Sequence, residues 1–167
     1  MTTYRIAAPE DVPAIRALIE NGYRGDSARK GWTHEADLLD GNRTSEAEIA
    51  AIVAAPEKRM LLAERDGALV GTVTITDLGD GRAYLGMLCV DPAVQAAGLG
   101  RALISQVEAL AAQDFGAQIM EMTVIDARSE LIAWYERRGY VRSDEIRPFP
   151  LPMDVPYLMV VLERPIG

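Results

Sequence analysis

The sequence predicts an α/β (α+β) domain built on a mixed, mostly antiparallel sheet with flanking helices, and two observations predict it. Between residues 59 and 90, three apolar, alternating runs are separated by short Asp/Gly turns, the pattern of an antiparallel meander. From residue 98 onward, helical and strand patterns alternate, which implies a parallel strand pairing inside the sheet.

Each element has its own local reason. Residues 4–8 read as a short strand. Pro9, Glu10 and Asp11 open a helix, since proline suits a first turn and acidic side chains favour its positive end. Val12, Ile15, Leu18 and Ile19 recur at helical spacing, and Gly22 is the expected stop. Residues 23–43 are polar and weakly periodic, a long loop with one helical turn at 35–39. Thr44 or Ser45 caps a second helix that turns Ile49, Ile52 and Val53 inward.

The meander strands are expected at 59–64, 69–76 and 82–90. A helix follows over 98–115, with Leu99, Leu103, Val107 and Leu110 on one stripe. A strand at 118–124, a helix at 128–138 stopped by Gly139, a strand at 140–146, a Pro-rich loop at 148–156 and a last strand at 157–163 complete one domain over residues 1–167.

Composition narrows the function. Hydrophobic residues make up 49% of the 167 and charged residues 25%, the balance of a folded globular chain. A net charge of −8 argues against nucleic acid as a partner, because phosphate contacts need clustered Lys and Arg. It does not argue against an anionic cofactor, since backbone N–H groups bind phosphate without cationic side chains. Cys89 is the single cysteine, so no internal disulfide forms, which fits a reducing cytoplasm. No apolar run is long enough to span a membrane, and no basic region followed by an apolar run marks a leader. No Cys/His cluster or H-E-x-x-H spacing suggests a metal.

The chemistry-bearing segment is Gln95, Ala96, Ala97, Gly98, Leu99, Gly100 and Arg101, between the third meander strand and a helix. Small residues let an anion approach the backbone, and the helix start offers N–H groups and a favourable dipole. Arg101 can add a charge-assisted bond. Glycines so placed serve tight helix–sheet packing equally well. No Gly-Lys-Ser/Thr follows, so this is not a Walker A loop, and the dinucleotide fingerprint is incomplete.

With Val90-Asp91-Pro92 before it and Ala102-Leu103 after it, this segment resembles motif A of the GNAT superfamily of acyl-CoA N-acyltransferases. A second block, Leu131-Ile132-Ala133-Trp134-Tyr135-Glu136-Arg137-Arg138-Gly139-Tyr140, is similar to the family's A-I-x-L-Y-E-K-L-G-F. The resemblance implies acetyl-CoA as co-substrate, seated where two parallel strands, here 82–90 and 118–124, splay apart. Main-chain groups of Leu88, Cys89 and Val90 would bond the pantetheine arm, one N–H polarising the thioester carbonyl. Residues 95–101 would hold the diphosphate. Arg128 stands where the family carries an Asn that touches the cofactor arm.

The resemblance also implies direct attack by an amine, with Tyr135 as the acid that protonates the leaving sulfur. Its alternative is a buried tyrosine on an apolar helix face. The base stays open. Thr123 falls where some members carry a strand glutamate. Glu121, one pleat away on the same face, and His34, in the long loop, are the candidates, against the plainer readings of an exposed strand carboxylate and a solvated loop histidine. Tyr23, Trp32 and Phe149 are candidate acceptor-pocket aromatics. The expected acceptor is an amine, a small molecule in preference to a protein, because residues 26–48 carry more acidic than basic side chains. The other function class is a non-catalytic acyl-CoA-binding or sensing domain. A homodimer is allowed through pairing of the apolar last strand.

Overall fold

A computed structural model describes residues 2–24, 45–148 and 158–167; the side chains of 22–24 and 95–97 lie outside the description. Seven strands form one sheet in the order β1-β2-β3-β4-β5-β7-β6. They are β1 (Thr2–Ile6), β2 (Lys58–Arg65), β3 (Ala68–Gly79), β4 (Arg82–Val90), β5 (Ile119–Ile125), β6 (Val141–Pro148) and β7 (Leu158–Pro165). The helices are α1 (Val12–Arg24), α2 (Glu46–Ala54), α3 (Leu99–Phe115) and α4 (Ser129–Glu136), with 3-10 turns at Pro9–Asp11 and Pro92–Ala97.

The meander is antiparallel throughout, and β4 pairs with β5 in parallel. Alternation along the strands divides two cores. Ala83 and Leu85 of β4, with Met120, Met122 and Val124 of β5, pack beneath α3 and α4. Met60, Leu62 and Cys89 pack on the opposite face beneath Ile15 and Ile19 of α1 and Ile49 of α2. Fully burying one such aliphatic side chain stabilises the fold by about 1.5–3 kcal/mol. Gly71 brings α3 close to β3: a Cβ there would lie 2.8 Å from Leu103 Cδ1.

Three expectations need correcting. Gly22 does not stop α1, which continues to Arg24, so the glycine is tolerated inside a helix whose apolar stripe already holds it to the sheet. The turn expected at 77–81 is shorter, because β3 runs through Gly79 with Leu78 as an extra residue in a register shift. The last strand has no free edge: β7 lies between β5 and β6, so pairing across a dimer through it is closed off. Ser45 does cap α2, its Oγ accepting from the Glu48 N–H at 3.2 Å.

Candidate functional site

The parallel pair opens into a fork. Strands β4 and β5 are in register only at Arg82↔Ile119, Ala83↔Met120 and Tyr84↔Glu121, yet both strands continue for several residues. Beyond Tyr84, β4 stays bound to β3 alone. A bulge fixes the departure: Thr72 pairs with Cys89 and Thr74 with Gly86, leaving Met87 and Leu88 opposite Val73. Met87 takes φ +52, a left-handed conformation that costs a side-chain-bearing residue about 1–3 kcal/mol.

The direction of the main chain past the bulge follows from one bond. The Asp91 N–H donates to Val70 O on β3 at 2.8 Å. Amides alternate sides along a strand, so the Val90 N–H points the other way, into the fork. Cys89 is buried beneath α1, with its Sγ 3.5 Å from Leu18 O. Leu88 packs against the α3 core. Leu88, Cys89 and Val90 thus form the strand edge that lines the fork.

At the end of that edge the chain makes a 3-10 turn over Pro92–Ala97, which contains Gln95, Ala96 and Ala97. Asp91 caps it, its carboxylate accepting from the Ala93 N–H at 3.0 Å. Gly98 then takes φ +74 and becomes the N-cap of α3. A Cβ at Gly98 would meet no atom of the described residues within 4 Å, so among them the space above this turn is open. The helical ladder begins with Ala102 N–H to Gly98 O, so the N–H groups of Leu99, Gly100 and Arg101 precede it. Leu99 is buried, Gly100 lies against Trp134 and Val90, and Arg101 is exposed. An open turn, N–H groups ahead of the ladder and a helix dipole suit a diphosphate.

Helix α4 flanks the fork. Arg128 is its N-cap, and the Arg128 carbonyl accepts from the Ile132 N–H at 3.0 Å. Tyr135 is buried on the core side, its ring edge-on to Trp134 at 5.1 Å and to Tyr140 at 6.1 Å. Behind it, Tyr140 donates to Glu108 Oε2 at 2.8 Å. Burial and the Glu108 charge push the Tyr140 hydroxyl well above the ordinary tyrosine range. Arg164 holds the other Glu108 oxygen at 2.5 Å.

The opposite face of the fork is polar. Glu121 and Thr123 alternate with Met120, Met122 and Val124 and therefore face away from α3. Glu121 is buried; Arg147 Nη2 donates to its Oε2 at 2.8 Å, and Arg82 Nη1 lies 3.6 Å from Oε1. Arg82 also donates to Glu163, and Arg147 to Glu145. The Tyr84 hydroxyl and Thr123 Oγ1 are 2.6 Å apart, joining β4 to β5 just beyond their last registered pair. Gly86 makes room for that reach, since a Cβ there would sit 3.1 Å from Tyr84 Cε1.

The structure places Leu88, Cys89 and Val90 along one arm of the fork, Glu121 in its last registered pair, the 95–101 turn at the end of that arm, and Tyr135 in the core that Val90 shares. His34, Trp32 and Phe149 lie outside the described residues, as does the Tyr23 side chain. Sequence reasoning missed Tyr84, Arg82 and Arg147, whose partners are remote in sequence, and Arg138, whose four-residue spacing from Trp134 is the signal that could have found it. Among the described residues, no group of three His, Cys, Asp or Glu side chains is placed to hold a metal, and no helix is long and apolar enough to cross a membrane.

The comparisons agree with this geometry. The model of the acetyltransferase (GNAT) family matches residues 23–140. The fold is similar to the ribosomal-protein-S18-alanine N-acetyltransferase from Escherichia coli, with a TM-score of 0.75 and 21% identity over 100% of this chain and 95% of that one. It is also similar to yncA from Salmonella typhimurium, whose structure holds its cofactor acetyl-CoA, with a TM-score of 0.72 and 18% identity over 99% of this chain and 94% of that one. No protein of curated function matches the sequence. A forked parallel pair, a left-handed glycine opening α3, and a family match over most of the chain lead to one statement: this chain belongs to the GNAT acetyltransferase family.

Proposed function

We propose that the protein transfers the acetyl group of acetyl-CoA to the primary amine of a small acceptor. The observation that carries this reading is the continuity of the β4 edge with the open turn at Gly98: a slot for an extended thioester arm runs straight into a cradle for its diphosphate. Acetyl-CoA supplies the activated acyl group as a thioester.

The chain's residues account for the remaining chemistry. The strand edge at Leu88, Cys89 and Val90 holds the arm, and an N–H aimed into the fork stabilises the oxygen that gains charge. The acceptor nitrogen bonds to the carbonyl carbon, the carbon–sulfur bond breaks, Tyr135 gives the departing sulfur a proton, and the proton that the acylated nitrogen then sheds restores the Tyr135 hydroxyl through solvent. Residues 95–101 bind the diphosphate and Arg128 borders the arm.

The acceptor approaches from the polar face. The amine must lose a proton before it attacks, because amines are protonated at neutral pH. Glu121 takes that proton through water, with the Tyr84 and Thr123 hydroxyls orienting the nitrogen; His34 is the second candidate base. Glu121, Glu145 and Glu163 outnumber Arg82 and Arg147 in the ion network of this face, which favours a cationic acceptor.

The test is acetyl-CoA turnover against a panel of amines, read as free thiol release and as acetylated product by mass spectrometry. Product from one or more small amines supports the reading. Acetyl-CoA binding with no amine acetylated, peptides included, replaces it with an acyl-CoA sensing role.

A further inference from the structure

The chain carries an excess of eight negative charges, yet Arg138 lies close enough to Arg101 and Arg137 for their charges to act on it. Arg138 Cζ lies over the Trp134 ring at 4.2 Å, and Arg138 Nη1 donates to the Trp134 carbonyl at 3.2 Å. The far edge of the same indole lies 3.7 Å from where a Gly100 Cβ would be. Trp134 is thus a spacer: one side meets the first turn of α3, and the other carries a guanidinium. Arg101 follows Gly100 on that first turn, and Arg137 caps the end of α4.

The cluster lacks internal compensation. Among the described residues, none of Arg101, Arg137 and Arg138 makes an ion pair, although Arg5, Arg16, Arg59, Arg82, Arg147 and Arg164 all do. Arg138 Nε is buried and has no hydrogen-bond partner. Burial, then the charges of Arg101 and Arg137, push the Arg138 guanidinium down from its ordinary range. Like charges held together without carboxylates raise the energy of the ligand-free state, and a dianion relieves it.

The arrangement also departs from the family block quoted above, which has Leu at both positions occupied here by Trp134 and Arg138. Stacking on the indole is what lets an arginine replace an apolar residue there.

We propose that Arg101, Arg137 and Arg138, spaced from the α3 N-terminus by Trp134, bind a phosphate monoester: the ribose 3′-phosphate that distinguishes coenzyme A from 3′-dephospho-coenzyme A. The assignment rests on the acetyl-CoA reading above, and it makes this cluster the point at which the protein selects its donor. The diphosphate takes main-chain N–H groups, and the monoester takes side chains a few ångströms away. The fork grips what the two forms of the coenzyme share; the arginines read the group in which they differ.

The test is calorimetric affinity of the whole chain for coenzyme A, 3′-dephospho-coenzyme A and adenosine 3′,5′-bisphosphate. The wild type is expected to bind coenzyme A about tenfold or more tightly than the dephospho form, as a charge-assisted contact to a dianion provides. Arg138→Leu, which restores the family residue, and Arg137→Gln, on an exposed position outside the diphosphate turn, each shrink that ratio to about threefold or less while dephospho-coenzyme A binds as before. Adenosine 3′,5′-bisphosphate competes with coenzyme A, whereas inorganic phosphate at the same concentration does not. Equal wild-type affinity for the two coenzyme forms overturns the proposal and leaves the acetyl-CoA reading standing. A ratio unchanged in both variants overturns it too. Failure of both coenzyme forms to bind overturns both readings.

Discussion

The Tyr84 hydroxyl and Thr123 Oγ1 are 2.6 Å apart and span the mouth of the fork, linking the last registered residue of β4 to a β5 residue two positions beyond its partner Glu121. A bond there joins the two strands across the opening and leaves two hydroxyls on the polar face of the fork. Tyr84→Phe is expected to lower stability by about 1 kcal/mol, the net worth of one hydrogen bond. It is expected to raise the KM for the amine and to leave acetyl-CoA affinity within about twofold, because the proposed arm site lies further along β4. Denaturant unfolding, acceptor kinetics and calorimetry check the three parts.

Tyr135 is separated from that pair by the sheet, and the role proposed for it concerns the leaving sulfur. Tyr135→Phe keeps the edge-on packing with Trp134 and Tyr140 and removes only the hydroxyl. The expected result is a fall of about 10²-fold or more in kcat, typical of a lost general acid, with little change in acetyl-CoA affinity. A kcat equal to the wild type removes Tyr135 from the chemistry.

Gly98 is constrained by its backbone and not by crowding. At φ +74, any side chain costs about 1–2 kcal/mol, though nothing within 4 Å obstructs it. Gly98→Val is therefore expected to fold with a lowered Tm and to bind acetyl-CoA poorly, since its methyl groups fill the open space above the turn. Unchanged affinity in a folded variant counts against the diphosphate cradle.

Behind the fork, Glu108 is shared by Tyr140 and Arg164. Removing the carboxylate strands a buried hydroxyl and a half-buried guanidinium. Glu108→Ala is expected to cost about 3–5 kcal/mol, the scale for breaking a buried pair from one side. Tyr140→Phe, which leaves the ion pair intact, costs about 1 kcal/mol. Urea midpoints of the two variants test the order.

Acid sensitivity is expected at Asp11. Its carboxylate accepts two hydrogen bonds from Arg5 and one from the Ala8 N–H, all at 2.7 Å. The Arg5 bonds come first among the causes that hold its pKa below the ordinary aspartate value. The folded state therefore prefers the ionised form. This stability is fully present above the unfolded-state pKa and is lost as pH falls through the folded-state value. Unfolding midpoints below about pH 4 should fall less steeply in Asp11→Asn than in the wild type.

Much of the fold was legible because it is local. The runs at 59–64 and 82–90, the α3 stripe and the Ser45 cap depend on neighbours within a few residues, and the structure shows β2, β4, α3 and α2 there. The 3-10 turn before Gly98 was read as a loop, because Asp91 capping acts through geometry that a Gly/Ala-rich composition hides. The bulge at Met87 was illegible: nothing in Gly86-Met87-Leu88 announces a left-handed residue, and only pairing against Val73 creates one.

By itself the sequence determined the periodicities, the turn glycines and the two blocks that resemble an acyl-CoA family, since spacing along the chain encodes each. Tertiary structure alone decided that β7 inserts between β5 and β6, that Tyr84 meets Thr123, and that Arg82 and Arg147 converge on Glu121. Those contacts join residues on different elements, and their energies depend on distance and burial in space. Neither quantity exists for a residue until the sheet has assembled around it.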